Sequence, residues 1–82
     1  MAYHKKDIEK GVIGDSSKIR EELEELLDAE SQDNKVMALI ELSDIIGSIE
    51  MYLEKRYPSI SVEDLIIMAR ATISSFKDGT RK

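Results

Sequence analysis

The sequence predicts an all-α fold: an antiparallel helical hairpin plus a third helix. Three observations carry this expectation. Apolar residues recur three and four apart in three separate stretches. Only four Gly and one Pro interrupt the chain, which favours long helices over many short strands. The breaks that do occur, Gln32-Asp33-Asn34 and Pro58, fall between those stretches. At 82 residues the chain is one domain, near the size where a single core is marginal. Association of copies into a four-helix-type bundle is therefore expected.

Residues 1–14 read as an irregular N-terminal segment, with Gly11 and Gly14 marking a loop or short extended turn. His4, the only histidine, stands among lysines near the terminus and reads as a solvated side chain. Asp15, Ser16 and Ser17 are good N-caps. The first helix is expected from about Ser17 to about Ser31, with Ile19, Leu23, Leu26 and Leu27 as its apolar stripe. Asp33 or Asn34 caps the second helix, which runs from about Lys35 to about Arg56. There Leu39, Leu42, Ile46, Ile49 and Leu53 form a packing seam. Pro58 ends it, because the residue before proline avoids helical dihedrals. Ser61 opens the third helix, with Asp64 three residues on as a near-capping box. Val62, Leu65, Ile66, Ala69, Ile73 and Phe76 are its expected inner face, and Gly79 its C-cap before the basic tail 80–82.

Composition removes several classes of function. There is no Cys, so disulfides, thiolate metal sites and a cysteine nucleophile are excluded. The N-terminus lacks the apolar core of a signal peptide, which points to the cytoplasm. Glu41, Asp44 and Glu50 break the apolar run of the second helix, so no membrane span is expected. A net charge of −5 argues against nucleic acid as a partner. It leaves room for a phosphorylated substrate bound through a cation.

The acids are not equivalent. At ~100° per residue, Glu21, Glu24 and Asp28 lie opposite the apolar stripe of the first helix and are expected to face solvent. Glu22 and Glu25 lie on its flank with Lys18 and Ala29, and are the pair able to turn inward. On the second helix, Glu41, Asp44 and Ser48 form a strip roughly opposite the leucine seam. Ala38, Ile45 and Tyr52 border it on one side, Ile40 and Met51 on the other. A solvated strip is more often bordered by Lys, Glu or Gln. Two solvated acidic faces remain one explanation. The other brings four carboxylates from adjacent helices together, where they would repel unless a cation joined them. Mg²⁺, or Mn²⁺ in its place, takes such hard oxygen ligands, at ~2.1 Å for Mg²⁺.

Lys18-Ile19-Arg20-Glu21-Glu22-Leu23-Glu24-Glu25-Leu26, followed by Glu41-Leu42-Ser43-Asp44, resembles the EExxE…ExxD pattern of the MazG-like, all-α nucleoside triphosphate pyrophosphohydrolase superfamily. It is most similar to the short, single-domain type of phages and bacteria. The resemblance covers roughly residues 11–81, including the ending Phe76-Lys77-Asp78-Gly79-Thr80-Arg81. It implies an enzyme that splits a (d)NTP into (d)NMP and pyrophosphate, by attack of metal-activated water at the α-phosphate. Glu22, Glu25, Glu41 and Asp44 would be the Mg²⁺ ligands, and Glu21 would either help orient water or stay solvated. Lys18, Lys77 and Arg81 are the candidate phosphate contacts, although a salt bridge from Lys18 to Glu22 is an equal reading. The resemblance also implies a homo-oligomer, dimer or tetramer. Longer relatives carry an additional N-terminal helix that helps enclose the base; this chain has only about fifteen residues before its first helix and no Trp. Two alternatives stay open: a noncatalytic metal- or nucleotide-binding regulatory member of the fold, and a helical protein-interaction module without metal.

Overall fold

A computed structural model describes residues 7–79 of the chain. Three helices follow one another: α1 (Ser16–Ser31), α2 (Lys35–Arg56) and α3 (Val62–Asp78). Among the described residues there is no strand, and no helix is long and apolar enough to cross a membrane. His4 and Arg81 lie outside the described residues.

Local chemistry sets the helix ends. Asp33 turns the hairpin in the left-handed region, at φ 54°, a conformation that Asp tolerates better than most residues. Asn34 then caps α2 by accepting the Met37 N–H at 3.0 Å. Ser61 caps α3 in a complete capping box: its Oγ accepts the Asp64 N–H, and the Asp64 carboxylate accepts the Ser61 N–H. That second bond, reinforced by the Ser61 hydroxyl, holds the Asp64 carboxyl below its ordinary range. Gly79 ends α3 in the left-handed region, at φ 80°. Asp15 departs from expectation. It occupies the N-cap position of α1 without a side-chain capping bond, because its carboxylate pairs instead with Arg56 near the end of α2 and accepts from the Ser17 hydroxyl.

The helices pack pairwise. α1 and α2 form the hairpin, while α3 touches α2 and makes no contact with α1. Their buried faces are not the ones that apolar periodicity selects. Ala29 and Leu53 are the only buried apolar side chains among the described residues, beside buried Glu21, Glu22, Asp28, Glu41 and Ser48. Half of the expected stripe of α1 turns outward, with Leu23 and Leu27 exposed while Ile19 and Leu26 are half-buried. Most of the α2 seam does too: Leu39 is 68% exposed, and Leu42 and Ile46 are exposed as well. On α3 no residue is buried: of its expected inner face Val62 and Leu65 are half-buried, and Ile66, Ile73 and Phe76 are exposed. The physical reason is geometric. Two helices cover one arc of each other, and here they cover the flank that carries Glu22 and Ala29, leaving Leu23, Leu27, Leu39 and Leu42 exposed while Leu26 is half-buried and Leu53 buried.

Candidate metal centre

The site lies where α1 and α2 meet. Glu41 points from the buried arc of α2 and is 3% exposed; one turn on, Asp44 stays exposed. From α1, Glu22 meets them and is 6% exposed. Glu22, Glu41 and Asp44 each present a carboxylate oxygen within 4.8 Å of the others. A second group, Glu21, Glu22 and Glu25, satisfies the same limit. The expected quartet is thus split into two overlapping triads that share Glu22. The inward turn of Glu22 and of half-buried Glu25 follows the flank position expected of them, and the covered strip of α2 holds Glu41 and Ser48 as expected.

Crowding shows in the protonation of Glu22. Burial, followed by the charge and hydrogen bond of Glu25, pushes its carboxyl up from 4.5 to about 7. The Asp44 charge adds to this, and Lys18 opposes it. A carboxylate so placed gains from any cation that arrives among these oxygens. Three carboxylates converging from two helices are the hard, anionic donor set that suits Mg²⁺ or Mn²⁺, so the residues fit that ion by their chemistry.

Three α1 acids are expected in solvent, and the structure buries two of them. Asp28 is buried, with its Oδ2 accepting from Gln32 Nε2 at 2.9 Å. Glu21 is only 3% exposed. Glu24, the third of that group, is half-buried. The N-terminal segment accounts for Glu21. The Gly11 N–H donates to its Oε1 at 2.8 Å, Lys18 Nζ donates to the same oxygen at 3.2 Å, and Lys10 Nζ lies 3.7 Å from Oε2. Burial alone would raise the Glu21 carboxyl, but the Gly11 N–H, Lys18 and a hydrogen bond with Glu25 outweigh it and hold it below its ordinary range. Glu21 also raises Lys18, against the opposing effect of burial. Lys18 therefore pairs with Glu21 rather than Glu22.

Residues 10–15 form a strap built on that anchor. The Val12 N–H donates to Ser17 Oγ at 3.0 Å, and the Asp15 N–H closes a turn on the Val12 carbonyl. At Gly11 a Cβ would stand 2.2 Å from the Ser17 carbonyl oxygen, so the close approach to α1 admits no side chain. At Gly14 a Cβ would meet the Lys55 side chain at 3.0 Å and the Met51 carbonyl oxygen at 3.7 Å, which places the strap against the end of α2. The turn marked by Gly11 and Gly14 is as the sequence implies; its docking onto Glu21 and the end of α2 is not encoded there. The usable signal was the pair Gly11 and Gly14 flanking Val12 and Ile13.

Lys77 is not brought to the acids. It sits exposed in the last turn of α3, a helix that does not touch α1, and the helix C-terminus accounts for a cation there. Lys18 does reach the site: with Glu22 and Asp44 it lines an open cleft of about 610 Å³ beside them. No family model matches the chain, and neither does any curated protein or solved structure.

Proposed function

We propose that the chain is a Mg²⁺-dependent nucleotide pyrophosphohydrolase, as its resemblance to the MazG-like enzymes implies. The observation that carries this reading is the convergence of Glu22, Glu41 and Asp44 oxygens within 4.8 Å, from two helices, with two of the three buried. Glu22, Glu41 and Asp44 would hold the ion. Mg²⁺ bound there supplies neutralisation of phosphate charge and a lowered pKa for water. Glu25 shares a triad with Glu22 but not with Glu41 and Asp44. Hydrogen-bonded to Glu22 beside the ion, it is the carboxylate proposed to accept the proton of a water attacking the α-phosphorus, as the bond to the β-phosphate oxygen breaks. Lys18 offers a cation to the phosphates from the cleft wall. Glu21 is committed to the strap and positions it.

Incubation with individual (d)NTPs and Mg²⁺ tests this, with pyrophosphate and (d)NMP as expected products. Orthophosphate and NDP would overturn the cleavage position. The exposure of Asp44 and the openness of the cleft favour one alternative, a noncatalytic metal- or nucleotide-binding module. Its signature is saturable Mg²⁺ binding without turnover.

The reading includes self-association of this chain into a helical bundle. The chain exposes 6349 Å², whereas a compact monomer of 9.3 kDa would expose roughly 5,000 Å². Removing the difference from two copies buries on the order of 2,700 Å² together, within the range of obligate homodimers. The bare leucines of α1 and α2 supply the apolar surface for it.

A further inference from the structure

α3 carries an apolar stripe that its own hairpin covers only at one end. At ~100° per residue, Val62, Leu65, Ile66, Ala69, Ile73 and Phe76 share one arc of about 100°, the width of a core-facing stripe. Val62 and Leu65 are half-buried where α3 meets α2, whereas Ile66 and Ile73 are each 47% exposed. The hairpin carries a complementary face. Leu53, which shares a groove with Val62, is buried, while Leu42 and Ile46 further along the same seam are exposed. Because the hairpin turns at Asp33, exposed Leu23 of α1 lies at about the level of Leu42.

The connector keeps these two faces apart within one chain. Only residues 57–61 join α2 to α3. The Ile60 N–H donates to the Tyr57 carbonyl at 2.9 Å, and the Ser61–Asp64 capping box fixes the first turn of α3. α3 projects from the hairpin and makes no contact with α1. The molecule extends 38 × 32 × 19 Å, and its second dimension exceeds the roughly 20 Å across two packed helices.

We propose that two copies exchange their third helices, the stripe of each α3 lying on the other chain's hairpin between Leu23 of α1 and Leu42 and Ile46 of α2. This exchange rests on the self-association stated above and names the element that performs it. Ile66 to Phe76 spans about 15 Å of helix and Leu39 to Ile46 about 10 Å, so one stripe can lie along the other. A seam-on-seam pairing would leave Ile66 and Ile73 in water; the exchange covers both faces at once. Two placements of on the order of 1,350 Å² each would remove the excess surface of the two chains. A reciprocal exchange also closes on itself, whereas one-way docking leaves a leucine face and an α3 uncovered at the ends.

Phe76 is the only phenylalanine, so its ring protons report on α3 without ambiguity. The test is an isotope-filtered NOE experiment on a mixture of methyl-labelled and unlabelled full chains, alongside sedimentation equilibrium. Phe76 of the unlabelled copy should give cross-peaks to the Leu23 and Leu42 methyls of the labelled copy. Ile73→Glu together with Phe76→Glu should weaken self-association at least tenfold. Ile67→Glu, on the opposite arc of α3 and 69% exposed, should change it less than threefold. A dimer whose intermolecular cross-peaks join leucine to leucine, with none from Phe76, overturns the exchange and leaves self-association standing. Undiminished association of the Ile73→Glu, Phe76→Glu chain does the same. Equal loss by Ile67→Glu overturns the choice of face. A wild-type monomer overturns the self-association beneath it.

Discussion

Glu22 belongs to both acidic triads, and its environment makes the free protein's stability depend on pH. Its carboxyl titrates near 7 in the folded state against an ordinary 4.5, because burial and Glu25 disfavour the charged form. The folded chain therefore holds a proton that the unfolded chain has already released between those two values. The Glu22 contribution is fully present below pH 4.5, falls as pH rises to about 7, and is gone above that. The full drop is roughly 3 kcal/mol. Urea unfolding at pH 5 and pH 8 in the presence of a chelator should show it, and Glu22→Gln should flatten it. Saturating Mg²⁺ should remove the drop in wild type and have little effect on Glu22→Gln. For the same reason Mg²⁺ affinity should rise with pH through about 7, as the competing proton leaves. An affinity that is flat from pH 5.5 to 8 would count against Glu22 as a ligand. Glu21 behaves in the opposite sense: its donors favour the carboxylate, so it adds stability that is lost only as pH falls below the ordinary carboxylate range.

At the scale of elements, the strap is the part most open to a clean test. Gly11→Ala sets a methyl 2.2 Å from the Ser17 carbonyl, so the strap must lift and Glu21 loses its backbone donor. A buried carboxylate deprived of a partner costs on the order of 1–3 kcal/mol, readable as a lower urea midpoint. Faster hydrogen exchange at Val12 and Asp15 should accompany it. Gly47→Ala should act the other way, adding roughly 0.5–1 kcal/mol, since its Cβ meets only open space in a helix interior. The helices themselves were legible because caps and breakers act locally: Asn34, Ser61, Pro58 and Gly79 set boundaries that need no tertiary partner. The site was half legible for a related reason. Periodicity says which residues share a face, so Glu22 travels with Glu25, and Glu41 with Ser48. It does not say which face a neighbour covers. Glu21 and Asp28 were placed in solvent because apolar density marked the opposite arc as the interior, and that arc turned out to be bare. The strap is nonlocal, with Gly11 ten residues from Glu21 and Asp15 forty-one from Arg56, and no short-range pattern encodes it.

The molecule is a helical hairpin followed by α3, and the hairpin buries several acids between its helices while many of its leucines face outward, an arrangement that one chain in water does not favour. Acids occupy the arc where α1 meets α2, while Leu23, Leu27, Leu39, Leu42 and Ile46 point away from it. The radius of gyration, 14.6 Å, exceeds the roughly 12 Å of a compact chain of this length. A second copy laid on the leucine seam would convert these outward arcs into a core. The seam lies roughly opposite the Glu41–Asp44 strip at ~100° per residue, so that copy would leave the acids and their cleft open to substrate. Sedimentation equilibrium should then give a multiple of the 9.3 kDa chain mass at micromolar concentration. The thermal midpoint should rise with protein concentration, as mass action requires of a chain whose core is shared. Leu42→Glu together with Ile46→Glu places charge in the centre of the seam, and should yield a monomer with reduced helicity. Because those two positions lie away from the acids, any residual Mg²⁺ binding by the monomer would report how much of the centre the hairpin holds by itself. A wild-type monomer with a concentration-independent midpoint would mean that the leucine faces are stable in water. The excess surface would then need a different occupant.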